Sequence, residues 1–205
     1  MRFLELKEKL KDFTVFSIHD IRKIEPSFYR QRLNEWRIKG YIKKVIRGHY
    51  IFSDLVMDEA ALFVLANRIY EPSYISLEMA MSFYNLIPEG VYSITSVSTR
   101  KTSEFKTEIG NFSYRKITPA GFFGYTLVER SGSVYKIAEM EKVILDYLYF
   151  NPRLVAEDDF SELRLNREIL REKMDIVKFN NYLRQYKNRQ LEKRAKIFLR
   201  FISHD

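Results

Sequence analysis

The stretch from Ser17 to Phe52, SIHDIRKIEPSFYRQRLNEWRIKGYIKKVIRGHYIF, constrains the fold more than any other part of the chain. Ser17 precedes apolar Ile18, Ile21 and Ile24, and Asp20 follows the serine by three residues. That spacing lets hydroxyl and carboxylate satisfy the free N–H groups at a helix start. Glu25-Pro26 ends the helix, because proline disfavours the helical conformation in the residue before it. Ser27 is placed to cap a second helix, predicted over Ser27–Lys39, in which Tyr29, Leu33 and Trp36 form one apolar stripe. Gly40 follows where a left-handed C-terminal cap is usual. Tyr41 to Phe52 then offers two β-rich runs around Arg47-Gly48, a hairpin signal. Helix, turn, basic helix, basic hairpin is the order of a winged helix-turn-helix. That unit lays one helix in a DNA groove and its hairpin against the backbone.

With the stripe buried, Ser27, Arg30, Gln31, Asn34 and Arg37 lie on or beside the opposite face. Arg, Gln and Asn make paired hydrogen bonds to guanine or adenine edges. Ser27, Arg30, Gln31 and Asn34 are therefore the expected base contacts; Arg37, Lys43, Lys44, Arg47 and His49 are the expected backbone contacts. Any short helix has a polar outer face, so the pattern alone decides little. The charge decides more: residues 1–53 hold 13 Lys+Arg against 6 Asp+Glu, +7 of the chain's +8. A local surplus of that size suits a polyanion.

At 205 residues the chain suits one large or two small domains. Residues 54–155 carry net −2 and residues 156–205 net +3, so the shift near Ser53-Asp54 sets expected domains at 1–53 and 54–205. A composition 46% hydrophobic and 15% aromatic with seven Gly and five Pro is that of a globular chain, with no disordered tract of note. The absence of cysteine excludes a disulfide framework and Cys-ligated metal, and fits a cytoplasmic location. His19, His49 and His204 fall in separate elements without metal-ligand spacing, and no P-loop, dinucleotide or esterase string occurs. No catalytic residue, cofactor or metal is expected. The longest apolar runs, such as Ala60 to Ala66, are too short for a bilayer. The N-terminus carries Glu5, Glu8 and Asp12, unlike a secretory signal, and reads as the first helix of the winged unit. No membrane partner is expected.

Helical spacing returns over Asp58–Tyr70 and over Leu77–Leu86, the latter capped by Ser76. Strand patterns occupy Tyr92–Thr99, Glu104–Thr107, Phe112–Ile117, Phe123–Val128 and Val134–Ile137. Helices follow over Ala138–Tyr149, Asn166–Lys173, Asp175–Tyr186 and Gln190–Ile202. Strands bracketed by helices predict an α+β body with a central, mainly antiparallel sheet and a helical C-terminal part.

Within that body, YISLEMAMSFYNLIPEGVYSITSVSTRK places Ser76, Ala80 and Leu86-Ile87-Pro88 before a strand ending near Thr99 and Lys101. FSYRKI and FFGY follow, then AEMEKVILDYLYF with Ala138, Glu141, Lys142, Leu145 and Asp146. These strings resemble the body domain of AbiEi-type antitoxins, and RLNEWRIKGYIKKVIRGHYIF is similar to their winged domain. The likeness runs to about residue 150 and rests on the order of several motifs. It implies a transcriptional regulator that binds inverted repeats in its own promoter and represses it. It also implies an antitoxin that counters a nucleotidyltransferase-like toxin without forming a stable complex.

Two clusters invite other readings. Glu139, Glu141, Lys142 and Asp146 resemble an acidic nuclease cluster with a helper lysine. Glu141 and Asp146 are five apart and diverge on a helix, so a buried ion pair or cap is the better expectation. A nucleic-acid-processing enzyme targeted by the winged unit is the rival function. Residues 178–200 hold Lys178, Arg184, Lys187, Arg189, Lys193, Arg194, Lys196 and Arg200 against Glu192 alone, with Tyr182, Tyr186, Phe198 and Phe201 interleaved. A solvated face is one reading. A second nucleic-acid surface built on Arg184, Lys187, Arg189, Lys193, Arg194 and Lys196 is the other.

Overall fold

A computed structural model describes residues 1–130 and 132–203, with Ser133 described in its backbone only. Among them are ten α-helices and nine strands in two sheets, a mixed α+β chain. The sequence expectation for His204 lies outside the described residues.

The N-terminal part runs α1 (Phe3–Lys9), β1 (Phe16–Ser17), α2 (Ile18–Ile24), α3 (Gln31–Ile38), β2 (Ile42–Ile46) and β3 (His49–Phe52). At the start of α2 the Ser17 hydroxyl accepts from the Asp20 N–H at 3.3 Å, and the Asp20 carboxylate accepts from the Ser17 N–H at 2.8 Å. This is the capping box that the spacing predicted. At the end of α3, Gly40 is left-handed at φ 73°; its N–H reaches the Arg37 carbonyl at 3.0 Å, while the Tyr41 N–H reaches Trp36 at 2.9 Å. Those two bonds form a Schellman motif, which fixes where β2 begins. β2 and β3 form the expected hairpin around Arg47-Gly48, and β1 adds to β3, giving the order β1-β3-β2.

The start of α3 differs from expectation. The helix begins at Gln31, not Ser27; Ser27 lies in a turn and Arg30 is the capping position, with no side-chain cap. The turn, closed by the Phe28 N–H on the Glu25 carbonyl at 3.0 Å, rotates residues 27–30 away from the helical phase. Phe28 therefore fills the core, 5.5 Å from the Trp36 ring, while Tyr29 is 75% exposed. Leu33 and Trp36 keep their predicted burial.

The body comprises α4 (Glu59–Ile69), β4 (Ser73–Ile75), α5 (Leu77–Phe83), β5 (Ser93–Ser98), β6 (Ser103–Lys106), β7 (Asn111–Lys116), β8 (Tyr125–Arg130), β9 (Ser133–Ala138) and α6 (Met140–Phe150). Four helices follow: α7 (Glu157–Ser161), α8 (Arg167–Lys173), α9 (Ile176–Tyr186) and α10 (Arg189–Ser203). The sheet order is β6-β7-β5-β4-β9-β8. It is more mixed than predicted: β5 with β7 and β4 with β9 are parallel, the other three pairings antiparallel. The parallel pairs arise because β6 folds to the outside of β7, and because β4 and β9 are joined through long connections. The Ser76 hydroxyl does not cap α5. It donates to Asp146 at 2.9 Å, and the Thr95 hydroxyl accepts from the Met79 N–H at 2.9 Å in its place.

Apolar side chains gather in two clusters. Leu6, Phe16, Ile21, Phe28, Leu33 and Trp36 belong to the N-terminal one. Val15, Val45 and Ile51, however, pack into the larger cluster of the body. The back of the hairpin is thus fastened to the body, reinforced by Arg68 on Asp20 at 3.3 Å and by a Lys7–Asp54 ion pair.

Candidate nucleic-acid interface

Burial of Leu33 and Trp36 sets the roll of α3, and that roll turns Gln31, Asn34 and Arg37 to solvent, with Arg30 exposed just ahead of them. One Arg37 Nη donates to Asn34 Oδ1 at 2.8 Å, which orders both side chains on the same face. A concavity of about 330 Å³ brings Arg30, Gln31, Asn34 and Arg37 together with Lys44 of β2. Ser27 is exposed too, but in the turn before the helix rather than on it.

A second concavity, about 770 Å³, adjoins the hairpin. There Arg37, Lys43, Lys44 and Arg47 face Glu104, Lys106 and Glu108 of the β6–β7 hairpin. Lys44 and Arg37 border both spaces. Lys43 and Lys44 are both exposed on β2, and a bulge follows them between Lys44 and Ile46. His49 is placed differently. It is half-buried, with Arg68, Asp20 and Glu71 as its charged neighbours; burial holds its pKa below the usual imidazole value, and its Nδ1 is enclosed without a hydrogen-bond partner.

Of the basic tail, Arg184, Lys187, Arg189, Lys193 and Lys196 are exposed. Arg194 is a correction: it is buried, and its Nε donates to the Leu148 carbonyl at 3.1 Å. The reason is its phase on α10, in step with buried Leu191, Phe198 and Phe201. The interleaved aromatics also face inward. Tyr186 donates to Asp146 at 2.6 Å, Tyr182 donates to Glu139, and Phe198 and Phe201 are core residues. They offer no stacking platform.

The acidic cluster of α6 resolves into a packed polar core. Lys142 and Asp146, four apart, form an ion pair with both side chains fully enclosed. Lys142 Nζ also donates to the Tyr74 hydroxyl at 2.8 Å and the Tyr186 hydroxyl at 2.7 Å; Tyr74 and Ser76 each donate to Asp146 at 2.9 Å. Burial lowers the Lys142 pKa, with Asp146 opposing, and raises those of Tyr74 and Tyr186. Glu141 accepts from the Asp175 N–H at 2.9 Å, and Glu139 pairs with Lys178 at 3.0 Å. Sequence reasoning missed Tyr74, Ser76 and Tyr186; only the i,i+4 spacing of Lys142 and Asp146 announced the pair. Among the described residues no group of three or more His, Cys, Asp or Glu is placed to hold a metal, and no helix is long and apolar enough to cross a membrane. No family model matches the chain, and no curated protein matches it significantly.

Proposed function

We propose that the chain is a sequence-specific DNA-binding transcriptional regulator that represses its own promoter and serves as the antitoxin of an abortive-infection pair in the cytoplasm. In this reading residues 1–53 are a winged helix-turn-helix, α3 is the recognition helix and the β2–β3 hairpin is the wing. The observation that carries it is the exposed set Arg30, Gln31, Asn34 and Arg37 gathered with Lys44 around one concavity. These side chains suit base edges and phosphates, and they lie in the part of the chain that holds +7 of its +8. Arg30, Gln31 and Asn34 read bases, Ser27 borders them, and Arg37, Lys43, Lys44 and Arg47 hold the backbone.

The toxin-neutralising half rests on the resemblance of residues 74–150 to AbiEi-type antitoxins, and its partner is a nucleotidyltransferase-like toxin countered without a stable complex. The rival nuclease reading needs carboxylates that reach a phosphodiester, whereas Lys142 and Asp146 are wholly enclosed. Two assays test the proposal. Fluorescence anisotropy should show tighter binding to a duplex from the chain's own promoter than to a scrambled duplex of equal length. Co-expression should restore growth to cells producing the nucleotidyltransferase-like toxin. Equal binding to both duplexes sinks the regulatory half; unrelieved toxicity sinks the antitoxin half.

A further inference from the structure

The body holds a cavity of about 670 Å³ on the side where α5, β5, β7 and the end of α6 meet, and the proposed function leaves it unused. Its floor is apolar, from Leu77 and Met81 of α5 with Leu163 and Leu165 after α7. Tyr147 and Phe150 of α6, with Tyr92, supply aromatic walls. A concave site of this size, mostly apolar with a few converging polar groups, is of the kind that takes small molecules.

The charge around it runs against that of the chain. The protein is +8, yet Glu78, Glu89 and Glu162 surround this space against Arg115 alone. Arg115 lies over the face of Phe150, 5.1 Å from the ring centroid, and keeps its charge, while Glu89 pairs with Arg164 at 3.9 Å. Glu78 and Glu162 pair with no cation among the described residues. Burial, with the charge of Glu78 next, holds the Tyr147 hydroxyl protonated above its ordinary range, so that carboxylate is felt inside the wall. Glu78 and Glu162 outnumber Arg115 and attract a cation, the rings of Tyr92 and Tyr147 attract it through their quadrupole, and the floor accepts an apolar body. A phosphate-bearing ligand is repelled here and drawn instead to the N-terminal part. We propose that this cavity binds a small organic cation, an ammonium or guanidinium group carried on an apolar or aromatic body. The inference is independent of DNA binding.

The test titrates the full chain with 4-phenylbutylamine and, separately, 4-phenylbutyrate, followed by 1H–15N correlation spectra. The amine should shift amides of residues 87–93 and 162–165, and the carboxylate should bind there about tenfold more weakly or less. Glu78→Gln/Glu162→Gln should weaken the amine by about tenfold, the size of one lost charge contact. Glu162→Gln alone, at an exposed loop position, serves if the double variant melts early. Equal binding of both probes, absence of shifts in those segments, or an unaltered amine affinity in the variants overturns the proposal. Much tighter binding of acetyl-arginine methylamide than of the amine assigns the cavity to a protein side chain and overturns the small-molecule assignment.

Discussion

Replacing Lys142 by Met should destabilise the chain severely, while replacing Lys142 and Asp146 together should not. Asp146 accepts from Lys142, Tyr74, Ser76 and Tyr186, and neither member of the pair touches solvent. Lys142→Met leaves an enclosed carboxylate with three neutral donors; Asp146→Leu leaves an enclosed ammonium with hydroxyl oxygens alone. Breaking a buried pair from one side costs about 3–5 kcal/mol, whereas apolar replacement of both is often close to neutral. The three hydroxyl donors left to Asp146 place Lys142→Met near the lower figure and Asp146→Leu near the upper. For a chain of this size each kcal/mol lowers Tm by about 2–4 °C, so the single variants should melt roughly 6–20 °C early. The double variant should recover most of that loss, a non-additivity far beyond the ~0.3–0.5 kcal/mol of independent sites. Thermal unfolding of the four proteins followed by circular dichroism reads this cycle directly. A single variant costing under about 1 kcal/mol, or a double variant costing the full sum, refutes the claim that the network holds a mutually dependent charge pair.

Arg30→Ala and Asn34→Ala should each cost about 1–3 kcal/mol of discrimination between preferred and substituted base pairs, measured by competition binding. Unchanged preference in both removes α3 from the groove. Lys43→Ala/Lys44→Ala should weaken binding on all duplexes alike and lower the slope of log affinity against log salt by roughly two units, close to 0.9 per phosphate contact; an unchanged slope removes the hairpin from the backbone. Burial raises the pKa values of Tyr74, Tyr84, Tyr114 and Tyr186, that of Tyr84 to about 12. Groups raised in the folded state contribute stability that is whole below about pH 10 and is lost as pH climbs toward their folded values. Lys142, lowered by burial, runs the opposite way, and four tyrosines outweigh it. Tm should therefore fall steeply between about pH 10 and 12, with the tyrosinate absorbance of these four buried hydroxyls, beyond that of exposed rings such as Tyr29 and Tyr92, appearing only as the chain unfolds. A Tm that stays level across that interval contradicts the burial of these hydroxyls.

Local chemistry made the N-terminal part readable. Ser17 with Asp20, Gly40 and Gly48 announce a helix start, a helix end and a hairpin turn through bonds made within a few residues. The exposed face of α3 follows from the burial of Leu33 and Trp36. What escaped depends on distant partners. β1 and β4 are two and three residues long and exist through pairing with β3, β5 and β9, so no periodicity marks them. Phe28 and Tyr29 are adjacent aromatics, and only the tertiary turn chooses which is buried. Tyr74 and Tyr186 lie 68 and 44 positions from Lys142, beyond any local signal. Arg194 was readable in part, since helical spacing sets it on the apolar stripe of α10, but its run of basic neighbours masked that phase.

Selection from a pool of randomised duplexes tests the central claim most directly. The full chain should enrich a motif arranged as an inverted repeat, and Arg30→Ala/Gln31→Ala/Asn34→Ala should lose that enrichment while retaining salt-dependent binding through Arg37, Lys43, Lys44 and Arg47. If the full chain enriches no motif, or the triple variant enriches the same one, α3 does not read DNA.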